Sequence, residues 1–128
     1  MMPEKSTAQK MRIQAGEVVV FIDTPEDYPE ALGPLPTPIT ILYEPSLSAD
    51  VTIVFAHSKG DLDTQVARLK SFVREGAVLW LAFRKGTAKP KPDFNRDDVL
   101  RSARAVGLHN LILISLDADW AAFKFKAI

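Results

Sequence analysis

Two short segments, Val18-Val19-Val20-Phe21-Ile22 and Ala77 to Phe83, are apolar at every position. A half-exposed strand alternates apolar and polar residues, so a strand with no polar position must be covered on both faces, as in a parallel sheet with layers packed against each side. The chain is thereby directed toward an α/β fold. Even the longest of these runs is far short of the roughly 20 residues a membrane-spanning helix needs.

The remaining elements follow from spacing. Ile39 to Tyr43 and Val51 to Ala56 give two further strands. Ser58 or Asp61 caps a helix in which Leu62, Val66, Leu69 and Val73 recur at helical spacing until Gly76 stops it. With the strand from Ala77 this makes a strand, helix, strand unit, whose crossover is right-handed almost without exception. Asp23 or Thr24 as N-cap and Pro25 in the first turn predict a short helix closed by Gly33-Pro34. Six of the nine prolines fall between Pro25 and Pro45, so long regular elements are disfavoured there. Asn95, with Asp98 three residues on, forms a capping box for a helix burying Val99, Leu100, Ala103 and Val106 and ending at Gly107. Leu111 to Leu116 is a strand, Asp117-Ala118-Asp119 a tight connection, and Trp120 to Ile128 the last strand. There Phe123 and Phe125 alternate with Lys124 and Lys126, which together with the short turn indicates an antiparallel partner. Residues 1 to 16 form a leader packed against the domain's edge, in which Ser6 caps one turn through Met11. Residues 1–128 are expected to form one domain.

Composition narrows the class. Sixteen Lys plus Arg balance sixteen Asp plus Glu, so the basic excess of a dedicated nucleic-acid binder is lacking. The absence of cysteine excludes disulfides and thiolate metal sites, and two isolated histidines do not make a zinc site. The polar start MMPEKSTAQK has no signal-peptide core, which points to a cytoplasmic protein without a membrane anchor. Trp80 and Trp120, in or beside strands, are expected in the core.

A parallel sheet ending in an antiparallel hairpin resembles the class I S-adenosylmethionine-dependent methyltransferase fold. Ala49-Asp50-Val51-Thr52-Ile53-Val54-Phe55 looks like its fourth strand. Val73-Arg74-Glu75-Gly76-Ala77-Val78-Leu79-Trp80-Leu81 is similar to its approach to strand five, and Ala105-Val106-Gly107-Leu108 to the turn before strand six. The whole chain also resembles a small bacterial family, a domain of unknown function whose members are truncated relatives of that fold. The similarity there lies in Lys85-Gly86-Thr87 and Asp117-Ala118-Asp119-Trp120. The resemblance implies a three-layer Rossmann-like sheet of order 2-1-4-5-7-6 in that fold's labels, with the last strand antiparallel and strand three missing. It implies S-adenosylmethionine as cofactor, and places Glu44 where the fold keeps an acid for ribose hydroxyls.

The turn after the first strand departs from that pattern. Asp23-Thr24-Pro25-Glu26-Asp27-Tyr28 contains no glycine, whereas a backbone that cradles a cofactor needs small residues and free amides there. Only seven residues separate Tyr43 from Val51, too few for a helical crossover and a further strand.

In open α/β sheets ligands bind at the carboxyl ends of the strands where strand order reverses. The ligand-binding candidates delivered there are Asp23, Thr24, Glu44, His57, Ser58 and Lys85. His57 is the candidate general base, but no nucleophile or orienting acid is tied to it by spacing, so no catalytic residue is assigned. His109 belongs to the opposite end of the sheet. A receiver domain is rejected because Ala56 and His57 stand where the phospho-acceptor acid should end its strand.

Charge is segregated along the chain. From Glu17 through Asp50 there are seven acids and no Lys or Arg, whereas from Arg84 through Arg96 there are five bases and one acid. Lys89, Lys91 and Arg96, with Lys85, are therefore candidates for an anion or for an acidic partner surface, including the Glu26-Asp27-Glu30 region of a second copy in a homodimer. Without an aromatic platform beyond Phe94, a nucleic-acid role is not favoured. Taken together, the residues describe a non-catalytic ligand-binding or protein-interaction domain on a degenerate methyltransferase-like scaffold. The alternative is a small-molecule methyltransferase with an atypical S-adenosylmethionine site.

Overall fold

The computed structural model describes residues 6–26, 28, 30–71 and 76–127. In chain order its strands are β1 (Val18–Ile22), β2 (Thr40–Leu42), β3 (Val51–Ala56), β4 (Val78–Arg84), β5 (Leu108–Ser115) and β6 (Trp120–Ala127). Its α-helices are α1 (Thr7–Lys10), α2 (Lys59–Ser71) and α3 (Arg96–Ala105). The six strands form one sheet in the order β2-β1-β3-β4-β6-β5. β2, β1, β3 and β4 run parallel, and β6 lies antiparallel between β4 and β5. This is the expected Rossmann-like order with the antiparallel last strand inserted.

Burial explains why the apolar segments became interior strands. Every residue of β3 is buried, as are Val19 to Ile22 of β1 and Leu79 to Phe83 of β4. On one face α2 and α3 bring Leu62, Val66, Leu69, Val99 and Ala103 against Val20, Val54, Leu79, Leu81 and Phe123. On the other, Ala8, Met11, Ile13, Tyr28 and Leu32 cover Val19, Phe21, Ile53, Phe55, Trp80 and Ala122. Both tryptophans are core residues, and their burial excludes either as a base-stacking platform.

Five expectations need correction. Among the described residues no α-helix lies between Asp23 and β2; the segment holds a 3₁₀ turn at Glu30–Leu32. A helix begun at Pro25 would need the amide of residue 29 as donor, and Pro29 has none. Instead the Tyr28 amide closes a three-residue step onto the Pro25 carbonyl at 3.0 Å. The leader does not lie along an edge: Ala8 and Met11 pack onto the sheet face, where the chain supplies no long helix among the described residues. β5 begins at Leu108 rather than Leu111, because Gly107 at φ +80° turns α3 directly into the strand. Leu116 lies beyond its end and turns into the core. β2 is shorter than Ile39 to Tyr43, and β4 extends to Arg84. Asp27, Val73, Arg74, Glu75 and Ile128 lie outside the described residues.

Candidate functional site

Strand order reverses between β1 and β3, and the residues after these two strands are locked together. Asp23 adopts φ +55°, a left-handed conformation that costs most residues roughly 1–2 kcal/mol. Its carboxylate accepts hydrogen bonds from the Gln65 side-chain amide and from Arg68 at 3.2 Å, and its carbonyl accepts from His57 Nε2 at 2.6 Å. A hydrogen bond to a charged group contributes about 1.5–3 kcal/mol, so the Gln65 contact alone offsets the turn. The half-exposed Arg68 pair adds under about 1 kcal/mol. Gln65 is itself buried in the inward face of α2, and also donates to the Phe55 carbonyl at 2.8 Å.

His57 is thereby occupied as well. A carbonyl oxygen can only accept, so Nε2 carries the hydrogen and is not a free base. The imidazole stands edge-on to Trp120, with ring centres 5.3 Å apart. Trp120 meets Phe55 at 5.3 Å, and Phe55 meets Tyr28 at 5.2 Å, so four rings close this end of the sheet. Ser58 serves α2: its hydroxyl accepts from the Asp61 amide at 3.2 Å, and the Asp61 carboxylate accepts from the Ser58 amide at 2.9 Å.

Lys85 lies away from Asp23, with Nζ 2.6 Å from both Ser115 Oγ and the Asp117 carbonyl. The Asp117 carboxylate accepts from the Tyr28 hydroxyl at 2.5 Å and from the amides of Asp119 and Trp120 at 2.7 and 2.8 Å. Burial pushes the Asp117 carboxyl up, but these hydrogen bonds and the nearby Lys85 charge outweigh it and hold the group below the ordinary aspartate range. Glu44 is exposed at the end of β2 and makes no hydrogen bond or ion pair among the described residues. Thr24 Oγ1 is buried without a hydrogen-bond partner among the described residues. Lys89, Lys91 and Arg96 are exposed.

Thus Asp23 and His57 are brought together, while Glu44 and Lys85 stand apart from them. Gln65, Arg68 and Tyr28 complete the lock and were not among the sequence candidates. For Gln65 a signal existed, since it interrupts the apolar face defined by Leu62, Val66 and Leu69. Among the described residues no group of three or more His, Asp or Glu could hold a metal ion, and no helix is long and apolar enough to cross a membrane.

No protein-family model matches the chain, and no curated protein matches it in sequence. Solved structures do. The DhpI–SAH complex superposes with a TM-score of 0.60 at 12% identity, over 94% of this chain and 82% of that one. A SAM-dependent methyltransferase from Aquifex aeolicus gives 0.55 at 9%, covering 94% and 87%. Precorrin-6y C5,15-methyltransferase from Geobacter metallireducens gives 0.54 at 10%, covering 94% and 85%. The chain carries a truncated methyltransferase-like fold. Identities this low speak to the fold alone.

The residues at the turn after β1 do not fit S-adenosylmethionine in the pose that fold implies. The turn has no glycine, Pro25 offers no amide, and the Asp23 carbonyl and carboxylate are already bonded to His57, Gln65 and Arg68.

Proposed function

We propose that this chain is a non-catalytic binding domain built on a methyltransferase-like scaffold. The observation that carries the reading is the lock at Asp23, where Gln65 and Arg68 of α2 and His57, just after β3, bond to the turn that a cofactor-binding backbone would keep free. The Nε2 contact of His57 supports it further, because it ties the ring to the Asp23 main-chain carbonyl. A small-molecule methyltransferase with an atypical cofactor pose is the second reading. It is favoured by the structural neighbours, which are S-adenosylmethionine-dependent enzymes, and by the buried hydroxyl of Thr24 beside the turn, which has no hydrogen-bond partner among the described residues.

Melting of the protein with and without S-adenosylmethionine or S-adenosylhomocysteine tests the choice. Ligand present at about 100 times its Kd stabilises a folded protein by about 2.7 kcal/mol, which is several degrees for a chain of this size. The binding-domain reading expects no shift at millimolar concentrations of either compound. A saturable rise of several degrees with both would establish the second reading in its place.

A further inference from the structure

A cavity of about 520 Å³ lies away from the lock, between the first turn of α3 and the carboxyl ends of β4 and β5. Phe83, Ala121 and Leu113 give it an apolar floor, and Arg84, Lys85 and Arg96 supply the only ionisable side chains of its lining. No acid lines it. Of the neighbouring carboxylates, Asp98 is bonded to the Asn95 amide at 3.0 Å and to Arg101 at 3.3 Å, and Asp117 to Tyr28 and two amides, with Lys85 as its nearby countercharge. The two acceptors at Lys85 Nζ, a hydroxyl and a carbonyl, are neutral. Among the described residues neither Arg84 nor Arg96 forms an ion pair. An apolar floor beside two arginines without an acidic partner favours a ligand with an apolar body and one negative charge. The volume falls within the range of small-molecule sites.

We infer that this cavity binds a small organic anion, an aromatic or branched aliphatic skeleton bearing one carboxylate or phosphate. The inference deepens the binding-domain reading and rests on it only in that the ligand is held and not transformed. Its charge requirement comes from Arg84 and Arg96, and its shape requirement from Phe83 and Leu113. Leu113 stands on an edge strand and remains partly exposed, as a surface awaiting an apolar ligand would.

Titration of ¹⁵N-labelled protein with 2-naphthoate, and separately with its uncharged isostere 2-naphthamide, tests this. Naphthoate is expected to move the amides of Gly86, Asn95 and Ser115 saturably, and to bind at least about tenfold more tightly than the amide. Arg96→Gln, at an exposed position that leaves the core untouched, should weaken naphthoate about fivefold or more and leave naphthamide unchanged. Lys126→Gln, on the far end of β6, should alter neither. Absence of saturable shifts at these amides, equal affinity for acid and amide, or an unchanged affinity in Arg96→Gln would each overturn the inference. S-adenosylhomocysteine would report instead at the Asp23 to Tyr28 amides, so failure of the cavity and failure of the binding-domain reading are seen at different residues.

Discussion

Asp117 joins three parts of the chain: it receives the Tyr28 hydroxyl from the segment after β1, the amides that begin β6, and the field of Lys85 after β4. Its folded carboxyl is held below the ordinary range, so the native state binds this proton less readily than the unfolded chain does. The stabilisation is complete above the unfolded value, near pH 4, and is lost as pH falls through the folded value. Urea unfolding at neutral pH and at a series of acid pH values should therefore show wild-type stability dropping below about pH 4. Asp117→Asn should be less stable at neutral pH and should drop less steeply in acid. Parallel curves for the two proteins would remove Asp117 from the account. At this scale the sequence was only partly informative. Asp23 and His57 are legible as strand-end residues, but that they bond each other depends on a left-handed turn and on Gln65, sixty-odd positions into the chain and visible only as a polar break in an apolar helix face.

Elements were easier to read because their signals are local. The apolar segments had to be doubly covered strands, and the reciprocal Asn95 and Asp98 pattern had to begin α3, whose cap contacts measure 3.0 and 3.1 Å. Leu79 shows what such a strand position is worth: it is buried in β4 against the helix-covered face. Leu79→Ala is expected to cost roughly 2–5 kcal/mol in urea unfolding, and a loss below about 0.5 kcal/mol would place it outside the core. The failures are equally local. The helix expected after Asp23 looked well capped, but Pro29 removes the donor its first full turn requires. The start of β5 was set three residues late because Gly107, His109 and Asn110 together look like a turn, whereas only Gly107 takes the left-handed angle and the others pair with β6.

Across the whole molecule the sheet is covered unequally. One face carries α2 and α3, while the other is closed by the one-turn α1, a 3₁₀ turn and the rings of Tyr28, Phe55 and Trp120. The segment after β1 packs onto this second face through Tyr28 and Leu32. The lock at Asp23 and the ring cluster lie at the carboxyl ends of β1 and β3, and the cation-lined cavity lies at those of β4 and β5. The central claim, that the turn after β1 is filled from within the chain, is tested most directly by titrating S-adenosylhomocysteine into ¹⁵N-labelled protein and following the amides of Asp23, Thr24, Tyr28 and Glu44. The account predicts that none of them moves at millimolar ligand; saturable shifts at both the turn and Glu44 would contradict it.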